Sequence, residues 1–274
     1  MTEITLENKQ IGIFDSGPGG LAVFKELRIQ LPHEDIIYLG DTARQPYGPR
    51  NIDEVRDFTV EITGWLINHG VKLVIIACNT ASVAGLDAAQ KEFGNIPIIG
   101  MIKPAVNRCR ENNSSQRIGV WGTAVTIESH AYDKLIHQVI PGAHVEGVSC
   151  PELLRLAEKG LIDDRDKLIE LAKKYYSPFE EVEIDTLILG CTDFTCLRHI
   201  IDIVVPKNIK IIDPAAEVVL EARKTLKARK ILNKSTAIPN YLFKITGVDI
   251  DDFSQFTKKF LDMHDINIER ICIQ

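Results

Sequence analysis

Two stretches, LVIIACNT at residues 73–80 and TLILGCT at residues 186–192, carry the reading of the fold. Each is an apolar run of strand length that ends in a cysteine and then a threonine. Neither run alternates with polar residues, so both faces of the strand should be covered, as in a parallel sheet flanked by helices. Working outward, similar runs recur at 10–14, 36–39, 96–99, 117–121 and 209–212, with longer helical segments between most of them. Phe58, Ile62, Trp65, Leu66 and His69 follow helical steps and trace one face. Asp213-Pro214 reads as an N-cap followed by proline at the first helical position. The helix it starts turns Val219, Ala222 and Leu226 inward and leaves Arg223, Lys224, Lys227, Arg229 and Lys230 on a solvated face. The tail from about Tyr241 reads as a strand, a helix over 251–262 and a last strand over 268–273. The echo between the two cysteine-ended runs predicts an α/β fold of two similar lobes with mostly parallel sheets. Each lobe offers a cysteine at the carboxyl end of a strand, where open α/β sheets bind ligands, and the active site is expected in the cleft between them.

The 274 residues are 45% apolar and 26% charged, which excludes a disordered, collagenous or coiled-coil chain. Thirty-two basic against thirty-eight acidic residues leave a formal charge of −6, so neither nucleic acid nor an anionic membrane is an expected partner. The longest apolar stretches, such as Leu73 to Cys78, fall far short of the roughly 20 residues a bilayer helix needs. The opening MTEITLENKQ has neither a basic n-region nor an apolar h-region, and a cytoplasmic chain is expected. Cys78, Cys109, Cys150, Cys191, Cys196 and Cys272 form no CxxC pair and match no zinc site. In a reducing compartment most should be free thiols, and the plain reading of any one is a small buried hydrophobe.

Four loops that follow strands carry unusual polar content: 15–20 (DSGPGG), 40–48 (GDTARQPYG), 78–80 (CNT) and 190–193 (GCTD). The first admits a competing reading. Gly17-Pro18-Gly19-Gly20-Leu21-Ala22 fits the GxGxxA dinucleotide fingerprint, and Asp41 stands roughly where a ribose-binding acid would. An NAD-type oxidoreductase follows from that reading. Against it, Asp15-Ser16 would crowd the pyrophosphate, and the cysteine–threonine pairs stay unexplained. The plain alternative is a tight turn with Asp15 or Ser16 capping a helix.

A thiol at a strand end beside a helix N-terminus gains thiolate character from the dipole and the free N–H groups. A free thiol titrates near about 8.5, so a modest shift makes it a usable base. Two such thiols facing one cleft can remove a proton from a carbon on one side and return one from the other, which inverts a stereocentre without a cofactor. Asn79, Thr80 and Thr192 would donate to a carboxylate. Pyridoxal phosphate, the common electron sink for such chemistry, needs a Schiff-base lysine and phosphate-binding surroundings, and neither Lys72 nor Lys103 stands in a motif loop.

IGIFDSGPGG, YLGDTARQPYG, ACNTAS, GTAVTIES, the stretch from Cys150-Pro151 to Glu158, GCT at 190–192 and YLFKITG at 241–247 occur in the order seen in glutamate racemases, and the chain resembles that family over nearly its whole length. The resemblance implies racemisation of L-glutamate to D-glutamate for peptidoglycan, in the cytoplasm, with no cofactor and no metal, and with a homodimer common. It places the two bases at Cys78 and Cys191, the first acting on the D-isomer and the second on the L-isomer. Asp15 would move protons at the first thiol and Glu158 would serve near the second. Substrate contacts would fall on Asp15, Ser16, Pro46, Tyr47, Gly48, Asn79, Thr80, Thr123, Thr126 and Thr192. The family pattern puts 1–99 with 211–274 in one lobe and 100–210 in the other.

One departure matters. Where the family usually has histidine after GCT, this chain has Asp193. An ionised carboxylate there would raise the thiol pKa by like-charge repulsion, whereas a protonated one would not. Asp193 is therefore a candidate catalytic group, and it motivates a rival substrate, aspartate or another acidic amino acid. His199 is the nearest histidine that could substitute.

Overall fold

The computed structural model describes residues 6–111, 116–158 and 164–273. Its strands are β1 (Ile11–Asp15), β2 (Ile36–Gly40), β3 (Leu73–Ile76), β4 (Ile98–Gly100), β5 (Arg117–Gly122), β6 (His144–Ser149), β7 (Thr186–Gly190), β8 (Lys210–Ile212), β9 (Tyr241–Ile245) and β10 (Ile268–Arg270). They form two sheets, ordered β10-β9-β2-β1-β3-β4 and β6-β5-β7-β8, and every ladder is parallel. The tail strands β9 and β10 extend the first sheet beyond β2. β8 pairs with β7, so the second sheet runs through Ile212, and a division at 210/211 passes inside that strand.

The unalternating runs behave as double-faced strands should. Because successive side chains point to opposite faces, neighbours on one strand feed different cores. Leu73 and Ile75 join a core with Ile11, Ile13, Leu27 and Val219, while Val74 and Ile76 join another with Phe14, Ile62 and Leu66. In the second sheet Leu187 and Leu189 pack with Trp121 and Phe179, and Ile188 packs with Ile118, Val120 and Ile136. Burying both faces of a central strand such as β3 leaves it no exposed residue and is the main stabilising term for each lobe.

The helix Ile52–Asn68 carries Phe58, Ile62, Trp65 and Leu66 onto the core that holds Val74 and Ile76, but His69 is its exposed C-cap and stacks on Trp65. Asp213 caps the helix Pro214–Ala228 through Ala215 N at 3.0 Å, with Pro214 in its first turn and Val219, Ala222 and Leu226 buried. None of the described helices is long and apolar enough to cross a membrane.

Candidate active site

Parallel strands send their carboxyl ends to one edge, and the four polar loops all leave from there. Asp15 ends β1 and Asp41 follows β2; Cys78 follows β3, and Cys191 follows β7. Contacts between the sheets show that the two edges meet. Thr80 Oγ1 lies 3.0 Å from Thr123 Oγ1, which receives the N–H of Thr126 at 3.2 Å and lies 3.0 Å from its hydroxyl. Tyr132, on the second lobe, donates its hydroxyl to Asn79 Oδ1 at 2.8 Å. A Cβ on Gly48 would stand 3.2 Å from Thr123. A Cβ on Gly19 would stand 2.6 Å from both Thr192 Oγ1 and Asp193 Oδ1, so only glycine lets the first loop lie this close to the second cysteine's loop.

Cys78 is the N-cap of the helix Asn79–Glu92, and its sulfur receives the N–H of Ala81 at 3.4 Å. Ser16 Oγ lies 3.9 Å from the same sulfur. Helix N-terminus and N–H together favour the thiolate, as expected for a strand-end thiol. Burial opposes them: removal from water, then the neighbouring Asp15, push the Cys78 thiol well up. Asp15 itself is buried, with Oδ2 receiving Gly20 N at 2.9 Å and Gly17 N at 3.3 Å. Desolvation outweighs these bonds and raises it to about 6, so it titrates just below neutrality.

Cys191 receives the backbone N–H of Asp193 but has no long helix behind it. The helix after it, Asp193–Cys196, is a single turn, and Thr192 makes no side-chain cap bond. The expected dipole assistance is therefore present at Cys78 and missing at Cys191. A carboxyl group stands there instead, with Asp193 Oδ2 3.5 Å from the sulfur. Burial, then the charges of Asp15 and Glu158, raise Asp193 far above the usual carboxylate range. Burial and Asp193 likewise push the Cys191 thiol up. Glu158, the last residue of the helix Pro151–Glu158, is half-buried and raised to about 7 by desolvation and then by Asp15. It is no solvated helix charge. His199 is exposed and offers nothing to the loop.

Asp15, Ser16, Asn79, Thr80, Thr123, Thr126, Thr192 and Gly48 are thus gathered around or between the two cysteine loops. Pro46 is exposed, and the Tyr47 hydroxyl is engaged by Asp41. Among the buried polar atoms without a hydrogen-bond partner are Asp15 Oδ1 and Asn79 Nδ2. Asn79 follows Cys78 in sequence and Asp15 neighbours its thiol in space, one a donor and the other an acceptor, which suits a zwitterionic amino acid. Sequence reasoning passed over Tyr132, whose one signal was a phenol following the GTAVTIES turn.

The dinucleotide reading fails on geometry. The N–H groups of Gly17 and Gly20, which would receive a pyrophosphate, are taken by Asp15, and Gly19 is packed against Asp193. Lys72 precedes β3 at the amino end and pairs with buried Glu34 at 2.6 Å, with the carbonyls of Glu7 and Ile231 completing its shell. Cys109 and Cys150 are buried core residues, as the plain reading of a cysteine has it.

The model of the Asp/Glu/hydantoin racemase family matches residues 19–222. A glutamate racemase of Microcystis aeruginosa is 38% identical, covering 96% of this chain and 91% of its own. One from Synechocystis is 39% identical over 93% and 89%. A solved glutamate racemase isoform from Bacillus anthracis superposes with a TM-score of 0.92 at 34% identity, covering 97% of this chain and 98% of that one. The Francisella tularensis enzyme, solved in complex with D-glutamate, gives 0.90 at 33% over 98% and 99%. An aspartate racemase from Picrophilus torridus, 16% identical with a TM-score of 0.59 over 80% and 94%, shares the fold alone.

Proposed function

The chain belongs to the Asp/Glu/hydantoin racemase family, and from that premise we propose that it interconverts L- and D-glutamate by handing the α-proton between Cys78 and Cys191. It is an amino-acid racemase, an isomerase. The observation that supports the mechanism is that the two strand-end cysteine loops, one from each sheet, lie against each other, each thiol with its own acid beside it.

Cys191 takes the α-proton of the L-isomer and Cys78 protonates the opposite face; the D-isomer runs in reverse. Removing that proton builds negative charge on the carboxylate, and preorganised donors in a closed cleft stabilise it. Asn79 Nδ2 and the hydroxyls of Thr80, Thr123, Thr126 and Thr192 are those donors, while Asp15 Oδ1 faces the ammonium group. Asp15, ionised at neutral pH, accepts the Cys78 proton as that thiol becomes the base. Asp193 keeps its proton, so it does not repel the Cys191 thiolate and can donate to it. Glu158, close to neutrality in its titration, takes up through Asp193 the proton that Cys191 loses as it becomes the base, and returns it when the thiol is reformed.

The product serves peptidoglycan synthesis in the cytoplasm, and the active form is a homodimer; these follow from the family resemblance. Circular dichroism of glutamate turnover tests the chemistry. Cys78→Ser and Cys191→Ser are each expected to lower kcat/KM about 10²–10⁴-fold. Aspartate turned over faster than glutamate would move the reading to the substrate that Asp193 suggests, and wild-type activity in either serine variant would overturn the two-thiol mechanism.

A further inference from the structure

We propose that Tyr132 is a positioning residue that holds the two cysteine loops in register; the inference rests on the racemase reading above. Tyr132 lies in the first turn of the helix Ala131–Val139 and is buried. It touches both loops at once. Its hydroxyl donates to Oδ1 of Asn79, the residue after Cys78, at 2.8 Å. Its ring lies against Gly190, the residue before Cys191, where a Cβ would stand 3.4 Å from Cε2.

The direction of the hydrogen bond fixes more than distance. A buried phenol must place its proton on an acceptor, and the acceptor here is Asn79 Oδ1. The amide is thereby turned so that Nδ2 remains free, and Nδ2 is a buried donor without a protein partner. Tyr132 thus sets the face that Asn79 presents to the substrate carboxylate, acting through Asn79 rather than on the substrate. The same bond crosses between the lobes and ties the spacing of the two sulfurs to the donor that grips the substrate.

The test is a double-mutant cycle on kcat and KM for both glutamate enantiomers, with thermal unfolding measured alongside. Tyr132→Phe keeps the ring against Gly190 and removes the donor. It is expected to lower kcat/KM about ten- to a hundredfold, the scale of one buried hydrogen bond and its unpaired partner, mostly through KM. In an Asn79→Ala background the same change is expected to cost less than about threefold, because the group it acts through is gone. 4-Aminophenylalanine at position 132 restores an N–H donor and is expected to recover most of the loss, and it gives a readout should the phenylalanine variant fold poorly. An unchanged kcat and KM in folded Tyr132→Phe, an equal loss in the Asn79→Ala background, or no rescue by a folded 4-aminophenylalanine variant would each overturn the inference. Wild-type protein inactive on either enantiomer would sink the racemase reading itself, a separate outcome.

Discussion

The two cysteines look equivalent in sequence and are not equivalent in structure. Cys78 caps a fourteen-residue helix and sits with a carboxylate that titrates near 6. Cys191 precedes a single helical turn and sits with a carboxyl group that burial pushes far above the usual carboxylate range. Two consequences follow at this scale. First, kcat/KM should rise with pH through about 6 as Asp15 ionises, and Asp15→Asn should remove that limb together with at least about tenfold in rate. A pH–rate profile of the two proteins checks this, and an unchanged limb in the variant contradicts it. Second, Asp193 is stabilised in its neutral form, so its folded pKa lies above its unfolded one. Below the unfolded pKa both states bind the proton and nothing is lost. Above it the unfolded chain ionises freely while the folded one resists, so the wild type loses stability as pH rises toward the folded pKa. Asp193→Asn escapes this loss. Its melting temperature should exceed the wild type's by a margin that grows from pH 4 to pH 8, at the cost of activity; a margin that shrinks over that range contradicts the assignment.

At the scale of elements, β1, β2, β3, β5, β7 and the capped helix at Asp213 were all legible, because unbroken apolar runs and an Asp-Pro cap report burial and helix start directly. β6 was not, since HVEGVS is a half-exposed edge strand without an apolar run. The single-turn helix after Cys191 was not either, because a strand-end cysteine looks the same before a long helix and a short one. The cysteine loops and Asp15 were readable as chemistry, whereas Tyr132 was hidden by acting across the two lobes. The glycines of the first loop have a packing reason that no dinucleotide reading supplies: Gly19 lies against Thr192 and Asp193. Gly19→Ala should therefore push the second cysteine's loop outward and lower kcat/KM about a hundredfold. Steady-state kinetics beside thermal unfolding check this, and the expected signature is a loss in rate larger than any loss in stability.

Across the whole molecule, chemistry and scaffolding lie at opposite ends of the strands. The buried Lys72–Glu34 pair sits at the amino ends, where it also gathers Glu7, Ile231 and Asn233. Glu34→Gln leaves a buried ammonium without its carboxylate and should destabilise the fold by about 3–5 kcal/mol in denaturant titration, with kcat/KM unaltered. The carboxyl ends hold the two thiols, one from each lobe, and the account stands or falls on their acting from opposite faces of one carbon. The most direct measurement is racemisation of L-glutamate in D2O, with early product and recovered substrate analysed separately. Two thiols predict D-glutamate carrying deuterium at Cα from the first turnovers, while the recovered L-glutamate keeps its proton. Protium retained in the product, or deuterium appearing equally in both enantiomers, would mean that one base serves both faces and would contradict the account.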